Sequence, residues 1–360
     1  MKRHRFWALL LSMCMILSFG ACSSNENNET ADNSNLPADN SSTEDTQETP
    51  TPDTPDPVTV NIGMLKGPTG IGSVYLLSNS DAGTTQNDYN FILGSAPTEF
   101  TSALINGDLD IAALPTNVAA TLYNKTEGEI TLLALNTLGV LYILENGNSI
   151  NSLSDLRGRT LYATGQGSNP QYVLEYLLRQ NGLEPGTDVI IEYLESDELA
   201  TRMASGDIDL CMLPVPNATS VLIQNTDVRS AIDLTAEWDA LDNGSVLTMG
   251  CVVVRNDFLA EHKDAVDIFL TEYYNSISKV LEQSDDVYEL IASYELVGNE
   301  QVARAALSDC NLTYIVGSNL EPSISGYYQV LFDANPDSIG GQMPAEDFYY
   351  VDYANENTQA

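Results

Sequence analysis

Residues 107–119 read GDLDIAALPTNVA and residues 206–218 read GDIDLCMLPVPNA. At a constant offset of 99 residues, six of the thirteen positions are identical: Gly107/Gly206, Asp108/Asp207, Asp110/Asp209, Leu114/Leu213, Pro115/Pro214 and Ala119/Ala218. In each copy a helical stretch (FTSALIN, ELATRMAS) stops at glycine, which accepts the left-handed backbone that ends helices. A short apolar strand follows, and a proline-bearing turn opens the next helix. A chain that writes helix stop, buried strand and helix start twice is constrained toward two similar α/β lobes. A common βα unit repeated by accident is the alternative.

The remaining pattern agrees with two lobes. Strand VTVNIGM leads through LKGPTGIG to helix SVYLLSN, and strand YNFILG through SAPT to helix EFTSALIN. In the second half RTLYAT leads through GQGSNP to QYVLEYLLRQNG, and DVIIEYL through ESD to ELATRMAS. Short apolar strands alternating with helices predict mostly parallel sheets, with three βα loops on one edge of each. Apolar LGVLYIL (138–144) and MGCVVVR (249–255) stand on either side of the second half and predict two hinge connections. The expected organisation is a signal in 1–22, a tether in 23–57, a first lobe in 58–141, a second lobe in 142–248, a return to the first lobe with C-terminal helices in 249–350, and a tail in 351–360.

The first 22 residues combine Lys2, Arg3 and Arg5 with an apolar run too short to span a bilayer, which is the form of an export signal. Residues 23–57 hold nine acidic residues, no Lys or Arg, and Leu36 as the sole larger aliphatic. Such a stretch buries too little apolar surface to offset its ordering entropy, so it is expected to act as a disordered tether, spanning on the order of 30 Å. The whole chain carries 14 Lys and Arg against 51 Asp and Glu, a net charge of −37. Nucleic acid and anionic membrane surfaces are therefore poor partners. Beyond the signal, His262 is the one histidine and Cys211, Cys251 and Cys310 follow Cys22. Imidazole-based metal or triad chemistry is thereby nearly excluded, and an odd number of thiols permits one bridge at most, with buried free thiols expected in DLCMLP and MGCVVVR. No metal and no cofactor is expected.

LKGPTGIGS (65–73) has the glycine spacing of a phosphate loop, but the lysine stands before the first glycine rather than after the second, which argues against a nucleotide. In open α/β sheets, ligands bind beyond the carboxyl ends of strands, where helix starts offer unpaired N–H groups. Lys66, Pro68, Thr69 and Gly70 are thus expected in one wall of an interlobe pocket, with Ser95 and Thr98 and with Pro115, Thr116 and Asn117. The facing wall is expected from Gly165, Gly167, Ser168 and Asn169 with Pro214, Pro216 and Asn217. Small hydroxyl and amide side chains there supply directional hydrogen bonds, although the same residues also serve as ordinary helix caps. Trp238, Tyr75, Tyr142 and Tyr172 could stack on a ring, but tyrosines at apolar helical spacing belong more often to a core. These loops hold no paired acid and base, so no catalytic residue is assigned.

The ordered series KGPTGIG, INGDLDIAALPTNVAATLY, LGVLYIL, SLSDLRGRTLYATGQGSNPQYVLEYLL, MASGDIDLCMLPVP and MGCVVVRNDFLAEHKDAVDIFL resembles the substrate-binding proteins of ABC importers in the nitrate, sulfonate, taurine and thiamine-precursor group. The resemblance runs from about residue 58 to 350. It implies a two-lobed type II periplasmic-binding-protein fold of the α/β class, a small polar or heteroaromatic ligand captured between lobes, and delivery by a monomer to a membrane permease and its ATPase. The ending Phe19-Gly20-Ala21-Cys22 likewise resembles the bacterial lipoprotein signal and implies acylation of Cys22 and a membrane anchor outside the cytoplasm. Many relatives have Glu-Pro-Phe after the second-lobe Leu-Pro, where LPVPNAT places Val215 and Asn217; the cysteine-rich signature of pyrimidine-precursor binders is absent, and no arginine stands in the loops to clamp an acid. Two other readings stay open. The fold also hosts enzymes of tetrapyrrole and menaquinone-precursor synthesis, and a receptor presenting its ligand to a membrane sensor would need the same closure.

Overall fold

Strand alternation shows how the sheets are covered. In the first copy of the repeat Ile111 and Ala113 enter one hydrophobic cluster while Ala112 and Leu114 enter another; in the second, Leu210 and Met212 face one way and Cys211 and Leu213 the other. Every one of these side chains is buried, as strands covered by helices on both faces require. The structure, a computed structural model, describes residues 57–352. Cys22, nearly all of the expected tether and residues 353–360 lie outside the described residues. Contacts divide the chain near residue 54, and all described residues fall in the second unit.

The first sheet is built from β1 (Thr59–Leu65), followed by the short α1 (Pro68–Ile71) and α2 (Val74–Asp81), then β2 (Asp88–Gly94), α3 (Pro97–Asn106), β3 (Ile111–Pro115), α4 (Thr116–Lys125) and β4 (Ile130–Leu138). The chain crosses at residues 139–140 into a second sheet: β5 (Leu141–Asn146), β6 (Thr160–Ala163), α5 (Asn169–Gln180), β7 (Ile190–Tyr193), α6 (Ser196–Ser205), β8 (Leu210–Pro214), α7 (Asn217–Gln224), β9 (Val228–Asp233) and α8 (Leu234–Asp239). It returns through β10 (Thr248–Arg255), α9 (Asn256–Glu261), α10 (Lys263–Leu281), α11 (Asp285–Ser293), α12 (Glu300–Ala306), β11 (Leu312–Val316) and α13 (Leu320–Ala334). The strand orders are β11-β4-β10-β3-β1-β2 and β7-β6-β8-β5-β9. This is the two-lobed α/β architecture with two crossings that the sequence predicts, but the sheets are not mostly parallel: among the described residues five of the nine pairings are antiparallel, because the crossing strands β5 and β10 and the late strand β11 run against the rest.

Pairing sense places the loops. In the first sheet β1 is parallel to β2 and β3, while β10 is antiparallel to β3 and β4, so β1 to β4 all end on one edge and β10 begins there. In the second sheet β6 is parallel to β7 and β8, and β5 is antiparallel to β8 and β9, so β6 to β9 end on the edge where β5 begins. Only two residues separate the end of β4 from the start of β5. The carboxyl edges of the two sheets therefore meet across that crossing.

Both flanks of the crossing are bridged by core. Tyr327 and Tyr328 of α13 join a cluster that includes Leu114 and Cys251 of the first sheet, Leu141 and Ile143 of the second, and Trp238 of α8. On the other flank Ile71 and Val74 of the first lobe, Val140 and Val215, and Ile291, Leu296 and Val302 of the α11–α12 region form one cluster. Cys211, Cys251 and Cys310 are buried and free. Burial pushes the Cys211 and Cys310 thiols up to about 12, which leaves them unreactive at neutral pH.

Candidate ligand site between the two sheets

The loop after β1 differs from its expected form. Proline at the first helical position and the Ser73 hydroxyl donating to the Gly70 carbonyl at 2.7 Å wind residues 68–71 into a helical turn. Gly70 is buried so tightly that an added Cβ would lie 2.0 Å from the Leu65 carbonyl oxygen. Its glycine is required for that approach, and its N–H goes to the Gly67 carbonyl. Gly70 therefore supports the wall from behind. Two further amides of the loop are engaged: Lys66 N–H with the Gly94 carbonyl at 2.8 Å and Gly67 N–H with the Leu296 carbonyl at 2.7 Å. The Lys66 ammonium lies 3.0 Å from Glu295. Thr69 is half-buried, its carbonyl accepting from Asn136 at 3.0 Å and its hydroxyl lying over Gly250, where a Cβ would come within 2.9 Å.

The other first-lobe candidates divide. Ser95, on the loop after the edge strand β2, and Thr98, in the first turn of α3, are both exposed. Thr116 is wholly buried, donates its hydroxyl to the Thr248 carbonyl at 3.0 Å and gives its own carbonyl to the Tyr328 hydroxyl at 2.9 Å. Thr116, expected in the ligand wall, uses its hydroxyl to pin the β3–α4 turn to β10. Pro115 caps α4 from the strand side. Asn117 reaches the Ser338 carbonyl at 3.5 Å, toward the C-terminal segment.

On the second wall, the Gly165 carbonyl accepts from both the N–H and the hydroxyl of Ser168, closing the turn on itself, and the Gly167 N–H goes to Gln171. Asn169, 3% exposed at the start of α5, is the exception: its Oδ1 is buried with no partner in the chain. Pro214 ends β8, and the Val215-Pro216 peptide is cis. Asn217 turns its amide to Asp197 of α6 at 3.1 Å. Near the crossing, burial raises the Asp309 carboxyl pKa and the neighbouring Asp233 carboxylate adds to it. Of the aromatic candidates, Trp238, Tyr75 and Tyr172 are buried in the core, with Trp238 donating to the Ser245 carbonyl.

One groove joins the lobes. It has a volume of about 440 Å³ and is lined by Lys66 and Gly67 of the first, Pro216 of the second, and residues 295–298. The structure thus brings Lys66 together with Pro216 and leaves Ser95 and Thr98 exposed and Thr116 buried. The 295–298 segment carries no sequence signal of a site, since the only local signal in YELVGNE is a helix stop, and its partner Lys66 stands 229 residues away.

The profile of a family described as ABC transporter, phosphonate, periplasmic substrate-binding protein matches residues 84–294. Among solved structures, an ABC transporter from Parabacteroides distasonis is 20% identical with a TM-score of 0.66, the match covering 81% of this chain and 99% of that one. The periplasmic aliphatic sulphonate binding protein SsuA from Escherichia coli is 18% identical with a TM-score of 0.64, covering 78% and 94%. The alkanesulfonate-binding protein SsuA from Xanthomonas axonopodis pv. citri, bound to MOPS, is 14% identical with a TM-score of 0.59, covering 80% and 95%. These structural likenesses concern the fold. Comparison with curated protein sequences returned no match.

Proposed function

This chain belongs to the family of ABC-transporter phosphonate periplasmic substrate-binding proteins, and on that premise we propose that it is a membrane-anchored member that closes its two lobes on a small polar solute and passes it unchanged to a permease and its ATPase. It is the extracytoplasmic substrate-binding component of an ABC importer. In our reading Cys22 carries the lipid anchor, residues 23–57 act as the tether, the lobes run over 58–141, 142–248 and 249–350, and the protein works as a monomer without chemistry of its own. Phosphonates and sulfonates are the solute classes that the family description and the structural neighbours name, and they are the first to try.

The observation that carries this reading is the meeting of the two carboxyl edges, with a groove lined from both lobes at the crossing. Loops at such edges present helix starts to a ligand, and two crossings let the lobes rotate around it. Native mass spectrometry of protein purified from its own host, followed by scattering with the recovered compound, tests it. A co-purifying small molecule whose addition contracts the scattering curve is expected. Release of an altered compound would turn the reading toward an enzyme. A Cys22→Ala variant is expected to leave the membrane fraction.

A further inference from the structure

Helix α11 ends in an arrangement normally built on glycine. The Glu295 N–H bonds the Ala292 carbonyl and the Leu296 N–H bonds the Ile291 carbonyl, the paired pattern in which the residue after the cap takes left-handed backbone. That residue is Glu295, at φ 52°. Left-handed backbone crowds any Cβ, which is why glycine prevails there. The apolar contact that accompanies the motif is present, with Ile291 and Leu296 in one cluster. Glutamate takes the same backbone at Glu127 after α4, with φ 57°, so it is where the Glu295 side chain reaches, and not its φ alone, that matters.

The glutamate reaches the groove. Its Oε2 lies 3.0 Å from Lys66 Nζ, and the carbonyl of the next residue, Leu296, accepts the Gly67 N–H at 2.7 Å. An ammonium and a backbone N–H, adjacent at the end of β1, are both taken by oxygens of two consecutive residues. Lys66 is the one cation among the residues that line this groove. Its side chain is 32% exposed and that of Glu295 80%, so the carboxylate approaches from the solvent side. An ion pair this exposed is weak and salt-screened, which makes it displaceable.

We propose that Lys66 Nζ, beside the Gly67 N–H held by the buried Leu296 turn, is the anion-binding corner of the ligand site, and that the exposed Glu295 carboxylate is a tethered competitor for it. The proposal rests on the binding-protein reading and names its solute class: a molecule whose phosphonate, phosphate or sulfonate oxygens replace those of the Glu295 carboxylate. Glu295 then sets affinity and charge selectivity, because an anion must supply more than one exposed carboxylate does, while a neutral solute leaves that carboxylate seated.

Calorimetric titration at low ionic strength with methylphosphonate, inorganic phosphate and methanesulfonate tests this on the wild type and on Glu295→Gln, Glu295→Gly and Lys66→Met. Both Glu295 variants are expected to bind at least one of the three anions about two- to fivefold tighter than the wild type, and Lys66→Met at least tenfold weaker. Glu295→Gly is also expected to melt no lower than the wild type, because glycine suits the backbone it inherits. Equal affinity in the wild type and Glu295→Gln, weaker binding by Glu295→Gly, or indifference to Lys66→Met would overturn the competitor. If none of the anions binds any of the four proteins, the corner is no oxyanion site and the proposal falls, while the binding-protein reading is decided separately by the compound that co-purifies.

Discussion

The two copies of the repeated unit begin alike and end differently. Gly107 and Gly206 end α3 and α6 with the same φ of 79°, Leu114 and Leu213 are both wholly buried, and Pro115 and Pro214 both close their strands. After the proline they part. In the first copy α4 starts at once, and Thr116 ties the turn to Thr248 of β10 and Tyr328 of α13. In the second, Val215 and Pro216 intervene before α7; Val215 packs in the cluster of Leu296 and Val297, and Pro216 lines the groove. The shared residues build a strand between two helices. The two positions after the proline decide what its loop touches, so the first turn is an anchored wall and the second meets the segment that competes for the ligand corner.

The largest test of this comparison removes the shared leucine. Leu114→Ala and Leu213→Ala each empty a buried site and are expected to cost about 2–5 kcal/mol in urea unfolding. Leu114 belongs to the cluster that runs across both lobes through α13, whereas Leu213 belongs to one formed with α6 and α7. Leu114→Ala is therefore expected to be the costlier, and equal losses would mean that the two units are independent.

Acid should separate the lobes next. Burial alone would lift the Glu145 carboxyl of β5, but hydrogen bonds from Ser149, Ile150 and Arg229 outweigh it and hold the pKa at about 2. With an unfolded value of 4.5, its contribution is fully present above that pH and is lost as pH falls toward 2, up to about 3 kcal/mol in all. Hydrogen exchange corrected for intrinsic rates is expected to show β5 and β9 losing protection at pH 3 before β1 and β3 do, and Glu145→Gln should abolish the difference.

Exchanging the diverging residues gives a smaller effect. Thr116→Val leaves the Thr248 carbonyl short of a donor, and Val215→Thr buries a hydroxyl in an apolar cluster; each is expected to cost about 1–2 kcal/mol by thermal unfolding. Full recovery of stability in the double exchange would show that the positions are interchangeable after all. The smallest effect belongs to the asparagines. Asn117 makes a 3.5 Å contact and Asn217 an exposed bond to Asp197, so alanine at either is expected to shift stability by less than about 0.5 kcal/mol. A larger loss of solute affinity than of stability at Asn117 would place it in the ligand wall.

How much was legible follows the range of the interactions. Helix stops at Gly107 and Gly206, alternating burial along β3 and β8, and the crossing after Leu138 all depend on neighbours a few residues apart, and the pattern displays them directly. Thr116 reads locally as a helix start with a free hydroxyl; it is buried because Thr248, 132 residues on, supplies its acceptor. Gly70 reads as part of the pocket wall and instead sits against its own strand. Asn169 reads as a cap, yet its Oδ1 is left without a partner.

By itself, then, the sequence determined two α/β lobes, their two connections and the edge on which their loops emerge, because backbone geometry and apolar period are written in short stretches. Which loop residues keep a free hydrogen-bonding group was decided only in three dimensions. A donor's state depends on whichever acceptor packing brings beside it, and for Lys66 and Gly67 that acceptor comes from the turn after α11, more than 220 residues along the chain.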